Sequence, residues 1–114
     1  MNVNGAINAH VAWKQRLADY LEGKGDALDP AVVGRDDRCE LGQWIHAEAP
    51  KRSADADFGA LRAQHADFHK RAAAVIETRR RGDEAGARQL FAGEYVTAAN
   101  MVIRTLGKMK ALEG

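Results

Sequence analysis

Apolar residues recur along this chain at intervals of three and four positions, the spacing of amphipathic helices. The pattern predicts a helix from near Ile7 to Gly23, and further helices over residues 38–49, 54–81 and 83–112. No alternation typical of β-strands competes with it. We therefore expect an all-α fold, an antiparallel helical bundle of three long helices plus a short cysteine-bearing helical segment.

The predicted helix boundaries coincide with residues that stop or cap helices. Asp29-Pro30 indicates a turn or the first residue of a short helix, and Pro50 ends the cysteine-bearing segment. Ser53 is a suitable cap for the long third helix, and Gly82-Asp83 combines a break with a capping acid. Because the connections are brief and no internal repeat is visible, we expect one domain over residues 1–114.

The positions predicted to face the core carry polar as well as apolar side chains. They are Ile7, Val11, Trp13, Leu17, Tyr20 and Leu21 in the first helix, Phe58, Leu61, His65, Phe68, His69, Ala72, Val75 and Ile76 in the third, and Leu90, Phe91, Glu94, Ala98, Met101, Val102, Thr105, Leu106 and Met109 in the last. A buried polar group without a partner costs about 1–3 kcal/mol. The polar members of these stripes therefore need partners.

Composition and charge are typical of a soluble globular domain. The chain is 46% hydrophobic and 29% charged, and 17 basic residues against 16 acidic ones give a net charge of +1. The only dense basic run, Arg79-Arg80-Arg81, falls at a predicted helix end, where cations favour the helix dipole. No basic surface of the kind that binds nucleic acid is expected.

Signals for export or membrane insertion are missing from the sequence pattern. The first five residues lack the charged start and apolar run of a signal peptide, and no segment approaches the ~18–20 consecutive apolar residues of a membrane span. The single cysteine fits a reducing compartment. We therefore expect a cytoplasmic domain without membrane contact.

Four potential metal-binding side chains lie on the predicted core side of the chain. His65 and His69 are four residues apart, a spacing that presents two imidazoles from one helix face. His10 lies on the apolar side of the first helix, and Cys39 is the sole thiol. Singly, such residues are more often hydrogen-bonded core histidines or small buried hydrophobes. Together they form a three-histidine, one-cysteine set that suits zinc and would also suit copper(I).

The residues that follow Cys39 have predicted supporting roles. Cys39 falls near the start of the short helix, where the dipole favours the thiolate. Leu41 and Trp44 share a face that should clamp this helix to the bundle, and Gly42 should permit close helix approach. His46 is expected at the surface, outside the metal set.

Two aromatic residues are expected beside the histidines. Trp13 follows His10 by three positions, and Phe68 precedes His69. The primary expected role of both residues is packing in the core. Packed together, they would form an apolar shell that keeps water from the metal.

Three segments of the sequence resemble the signature blocks of the chemoreceptor zinc-binding (CZB) domain family. They read His10-Val-Ala-Trp13-Lys14, Cys39-Glu-Leu41-Gly42-Gln-Trp44-Ile45 and His65-Ala-Asp-Phe68-His69, in this order. Asp29-Pro30 before the cysteine block is also similar to the family, and the resemblance extends over about residues 7–112. By this resemblance, His10, Cys39, His65 and His69 occupy the positions of the family's three-histidine, one-cysteine zinc site.

The resemblance implies a function in bacterial signalling. Members are helical bundles, often symmetric homodimers, that regulate chemoreceptors or diguanylate cyclases in response to zinc or hypochlorous acid. We therefore expect a sensory domain with one zinc per chain and Cys39 as its redox-sensitive ligand. Since these residues include no signalling coiled coil or cyclase domain, the output would act in trans or belong to a longer parent chain.

The same residues argue against catalysis and leave two alternative functions open. A closed four-coordinate zinc leaves no position for a substrate, so no enzymatic activity is expected. One alternative is a dimerisation bundle stapled by structural zinc, in which Met101 and Met109 lie either at an interface or in the core. The other is a hemerythrin-like di-iron bundle that binds oxygen. It would need more histidines and bridging carboxylates, and Glu94 is the only clearly inward carboxylate predicted.

Overall fold

Helices account for nearly all of the regular structure of the chain. The computed structural model describes residues 2–25, 27–52 and 54–113, the last four of these without their side chains. Its helices are α1 (Val3–Leu21), α2 (Pro30–Val33), α3 (Glu40–Glu48), α4 (Ala56–Arg80), α5 (Glu84–Leu90) and α6 (Val96–Glu113), with a π-helical turn over Phe91–Tyr95. The described residues contain no strand, so the all-α prediction is confirmed. None of these helices is both long and apolar enough to span a bilayer.

Aspartate side chains begin three of the helices. The Asp29 carboxylate accepts the backbone N–H of Ala31, and Pro30 occupies the first position of α2. The cap of α4 is Asp55, and Ser53, predicted for this role, lies outside the described residues. Asp83 caps α5 after the break at residue 82, as the sequence predicts.

The last helical stretch runs antiparallel to α4. Thr105 donates to Gln64 over 2.6 Å, and Arg71 pairs with Glu94 over 2.9 Å. From the first contact to the second, the residue number rises along α4 and falls along the last helical stretch. The turn at Gly82, whose φ is 91°, reverses the chain between them.

Helix α1 runs in the same direction as α4. His10 contacts Phe68 edge to face, and further along both helices the Arg79 guanidinium lies 4.8 Å from the centre of the Tyr20 ring. The connection through residues 22–55 returns the chain to the end where α1 began. This connection carries α2, Cys39 and α3. It places α2 and Cys39 against the middle of α4, where they meet His69, and α3 against the start of α4, where Trp44 meets Phe58.

Most predicted core positions are buried or partly buried, but three are exposed. Val11 is 52% exposed and Met101 is 46% exposed, while Glu94 lies at the surface. In α1 the buried positions are instead Val3, His10, Leu17 and Leu21, so Val11 falls just outside that stripe. In the last helical stretch Tyr95, which ends the π-helical turn, is buried in place of Glu94.

Candidate metal centre

Four side chains from three parts of the chain meet inside the bundle. One donor atom from each of His10, Cys39, His65 and His69 lies within 4.8 Å of all the others. The Cys39 Sγ atom is 3.2 Å from His65 Nε2 and 3.6 Å from His69 Nε2, and the two Nε2 atoms are 3.0 Å apart. The three histidines are buried and Cys39 is partly exposed. The structure therefore brings together all four residues that the sequence singles out.

The separations among Cys39, His65 and His69 fit a tetrahedral zinc ion. Bonds of about 2.0–2.1 Å to nitrogen and about 2.3 Å to sulfur place two nitrogens about 3.3 Å apart, and a nitrogen about 3.6 Å from the sulfur. The observed 3.0, 3.2 and 3.6 Å agree with those values to within about 0.4 Å. Without a cation, two imidazole nitrogens and a sulfur in direct contact would leave buried acceptor atoms facing one another. The donor set therefore suits a cation at its centre.

Backbone carbonyls orient two of the three imidazoles. His10 donates its Nδ1–H to the carbonyl oxygen of Ala6 over 2.7 Å, and His69 donates its Nδ1–H to that of Val33 over 2.9 Å. Each bond leaves the lone pair on Nε2, and His10 Nε2 is buried with no hydrogen-bond partner among the described residues. Metal-binding histidines are commonly fixed in this way, with the other ring nitrogen bound to a carbonyl.

Cys39 is held at the start of α3. Its backbone is extended at the position that caps the helix, and its sulfur accepts the N–H of Gly42 over 3.3 Å. A Cβ atom on Gly42 would overlap the carbonyl oxygen of Asp36 and lie 3.2 Å from His65 Cε1. The absence of a side chain at Gly42 therefore leaves room for the backbone of the preceding loop and for His65 of α4.

Burial keeps the imidazoles neutral and opposes ionisation of the thiol. It lowers the pKa of His65 to about 3, with the neighbouring His69 and His10 adding to the effect, and it also lowers the pKa values of His10 and His69. Burial raises the pKa of Cys39, although the N–H groups at the start of α3 act against it. The predicted preference for thiolate is thus outweighed within the protein alone, whereas a bound cation would restore it.

Phe68 forms the apolar wall of the cluster. It is fully buried, and its ring centre lies 5.0 Å from that of His10, 5.2 Å from that of His69 and 5.4 Å from that of Tyr95. Trp13 is only partly buried and carries the Arg16 guanidinium 4.0 Å from the centre of its ring. Phe68 therefore takes the predicted place beside the histidines, while Trp13 lies nearer to solvent.

The short helix α3 packs against the bundle through apolar side chains. Leu41 and Ile45 are almost fully buried, and Trp44 packs edge to face on Phe58 with 5.9 Å between ring centres. These contacts fix the helix whose first turn holds Cys39. They connect the sulfur to the start of α4.

Two further predictions concern residues outside the cluster. His46 is exposed and lies 3.2 Å from the Asp36 carboxylate, which agrees with its predicted surface position. The sequence pattern predicts Glu94 to point inward, but Glu94 pairs with Arg71 at the surface. The bridging carboxylate that a di-iron centre would require is therefore not supplied by Glu94.

Comparison with known proteins agrees with the geometry. The sequence matches the family described as chemoreceptor zinc-binding domain over residues 10–76, more than half of its 114 residues. The matched region contains all four cluster residues. No curated protein matches the chain, and no solved structure matches it.

Proposed function

The chain belongs to the chemoreceptor zinc-binding domain family, and we propose that it is a sensory domain of bacterial signalling with one zinc ion held by His10, Cys39, His65 and His69. The observation that supports this most strongly is the meeting of these four donor atoms within 4.8 Å. Zinc prefers thiolate and neutral imidazole. The lowered pKa values of the three histidines keep them available as ligands at neutral pH.

Zinc would act here as a cross-link between three parts of the chain. His10 lies on α1, Cys39 precedes α3, and the other two ligands lie on α4. Any ligand that binds only the folded arrangement stabilises it by mass action. We therefore propose that zinc occupancy sets the position of residues 39–49 relative to the long helices, and that this segment is the two-state element of the sensor.

Oxidation of Cys39 would be the second input. The cysteine is the only one in the chain and is partly exposed, in contrast to the buried histidines. Hypochlorous acid would transfer its oxygen to the thiolate sulfur and leave as chloride, so the sulfur loses two electrons and becomes a sulfenic acid. Loss of a thiolate donor would weaken zinc binding and release residues 39–49.

Metal analysis of the purified protein tests the proposal. We expect about one zinc per chain, release of that zinc to a chromophoric chelator after stoichiometric hypochlorous acid, and much weaker zinc binding in Cys39→Ser with helical content preserved. His46→Ala is the matched control, because this histidine lies at the surface. Retention of zinc and thiol after the oxidant would refute the redox mechanism. Unchanged zinc affinity in Cys39→Ser would remove Cys39 from the ligand set.

A structural zinc staple is the alternative, and the burial of the histidines favours it as much as it favours sensing. The sensor and the staple differ in how readily they exchange zinc. A sensor must take up and lose zinc within cellular concentrations, whereas a staple would hold it under all of them. Competition against chelators of graded affinity separates the two functions.

The assembly of the domain is proposed from its family. We propose a symmetric homodimer in the bacterial cytoplasm that acts on a chemoreceptor or diguanylate cyclase output without enzymatic activity of its own. Sedimentation of the zinc-loaded chain measures the oligomeric state. Met101 is 46% exposed, so Met101→Lys tests whether the α6 surface takes part, and Met109, which is buried in the core, is not expected to.

A further inference from the structure

A carboxylate lies beside the metal centre without belonging to its ligand set. Asp36 is in the loop between α2 and α3, three residues before Cys39. Its backbone carbonyl packs against Gly42, which donates its N–H to the Cys39 sulfur over 3.3 Å. Asp36 also borders a surface groove together with Ala66 and Lys70 of α4. The residue is therefore flanked by the two elements next to the sulfur and two of the imidazoles.

The charge of Asp36 acts on two of the four ligands. Burial is the main reason why the pKa of Cys39 is raised, and the Asp36 carboxylate adds to that effect. Burial lowers the pKa of His69, while the hydrogen bond to Val33 and the Asp36 carboxylate act in the opposite direction. A nearby negative charge disfavours a thiolate and favours a cation in this way. It would equally favour a metal ion placed among the four ligands.

This carboxylate forms no ion pair with an arginine or lysine among the described residues. It accepts the Nε2–H of the exposed His46 over 3.2 Å. The next residue differs, because Arg35 donates two hydrogen bonds to the Asp37 carboxylate, over 3.0 and 2.9 Å. The charge of Asp37 is thus compensated by a guanidinium, whereas a neutral imidazole leaves the charge of Asp36 uncompensated.

The charge of the occupied centre depends on the metal ion. Three neutral imidazoles and one thiolate carry a single negative charge, so divalent zinc leaves one positive charge and monovalent copper(I) leaves none. A charge inside a protein is unfavourable unless an opposite charge lies near it. Because the histidine ligands are buried, a zinc centre gains from a negative group close by and a copper(I) centre does not.

We propose that the Asp36 carboxylate is the counter-charge of the occupied metal centre and biases it toward divalent over monovalent metal ions. This deepens the proposed function, on which it rests. Thiolate and imidazole donors suit both zinc and copper(I), so the ligand set alone selects weakly between them. A charge outside the ligand set adds selection by the charge of the ion and leaves the four donors unchanged.

Asp36→Asn tests the proposal on the full chain. The amide keeps the size of the side chain and an oxygen acceptor for His46, and it removes only the charge. Zinc affinity, measured by competition with a fluorescent indicator, should fall about tenfold, the lower range for groups that support metal ligands. Copper(I) affinity, measured without oxygen by competition with a chromophoric chelator, should change far less. The loss of zinc affinity should also shrink as salt shortens the Debye length from about 10 Å to about 3 Å.

Three further variants assign the effect to the charge of Asp36. Asp37→Asn is the matched control, because it removes a carboxylate from the same loop that Arg35 already compensates, and it should bind zinc almost as well as the parent. Asp36→Glu retains the charge and should bind zinc more tightly than Asp36→Asn. His46→Ala removes the hydrogen-bond partner but not the charge, so it should also stay close to the parent.

The outcomes separate this inference from the proposed function. Unchanged zinc affinity in Asp36→Asn would overturn the inference. Equal losses for zinc and copper(I) would overturn it too, since they would assign Asp36 a role in loop structure, and so would an equal loss in Asp37→Asn. In each of these cases the parent chain still binds zinc and the proposed function stands. A parent chain that binds no zinc would refute the proposed function, and the inference with it.

Discussion

His69 donates its Nδ1–H to the carbonyl oxygen of Val33 over 2.9 Å, which joins the metal centre to the last residue of α2. The bond fixes the tautomer of His69 and turns its Nε2 toward the Cys39 sulfur. A backbone carbonyl can do this only where its own segment is held in place. Asp29 holds this segment, since its carboxylate accepts the N–H of Ala31 in the first turn of α2.

Removing this cap should weaken zinc binding from outside the ligand set. In Asp29→Ala the first turn of α2 loosens and Val33 loses its fixed position, so zinc affinity should fall about tenfold, the lower range for partners of metal ligands. Asp29→Asn retains an oxygen acceptor and should stay close to the parent protein. Competition with a fluorescent zinc indicator measures both. Equal affinities for all three proteins would show that α2 does not position His69.

Gly42 should not tolerate a methyl group. In Gly42→Ala the new Cβ would overlap the Asp36 carbonyl, so the chain should lose about 1–3 kcal/mol of unfolding free energy and part of its zinc affinity. Gly59→Ala is the matched control, since a Cβ there has no described atom within 4 Å, and it should stabilise α4 by up to about 1 kcal/mol. Urea denaturation measures both changes. An unchanged free energy of unfolding in Gly42→Ala would mean that the loop before Cys39 can move to accommodate the methyl group.

Stability of the chelated protein should fall with acid below pH 6.5. Burial lowers the pKa of His65 to about 3, and it lowers those of His10 and His69 as well. Between the folded and unfolded pKa values only the unfolded chain takes up these protons, so stability is complete above about pH 6.5 and declines as the pH drops. Each histidine contributes a slope of up to about 1.4 kcal/mol per pH unit. Urea midpoints from pH 8 to pH 4 measure the slope, and a flat profile would contradict buried neutral imidazoles.

The hydroxyl of Tyr95 should be dispensable for folding. It is buried with no hydrogen-bond partner among the described residues, and burial raises its pKa. Tyr95→Phe should therefore leave stability unchanged or raise it by about 1 kcal/mol. Thr105→Val is the contrast, because its hydroxyl donates to Gln64 over 2.6 Å, and it should cost about 1 kcal/mol. Thermal unfolding of both variants measures these changes in stability. A loss of stability in Tyr95→Phe would show that the Tyr95 hydroxyl has a hydrogen-bond partner.

Helical spacing and donor chemistry were enough to predict the four cluster residues and most of the bundle. His65 and His69 share a face through their spacing alone, and Cys39 is the only thiol in the sequence. The carbonyl of Val33 could not be predicted in this way. Every residue has a carbonyl, and only the tertiary path of the connection places this one beside His69.

Two positions of the last helical stretch were wrongly predicted. A regular period of 3.6 residues predicts Glu94 and Met101 on the inner face, and both are exposed, while Tyr95 is buried. The positions predicted beyond the π-helical turn are otherwise buried: Ala98, Val102, Thr105, Leu106 and Met109. Glu94 and Tyr95 are neighbours, and the spacing of apolar residues alone does not decide which of the two is buried.

X-ray absorption at the zinc edge of the purified chain would show the ligand set itself. The four-residue site predicts one sulfur at about 2.3 Å and three nitrogens at about 2.0–2.1 Å around a single zinc, with the sulfur signal absent in Cys39→Ser. A zinc surrounded only by nitrogen and oxygen in the parent chain, or a spectrum unaltered by Cys39→Ser, would contradict it.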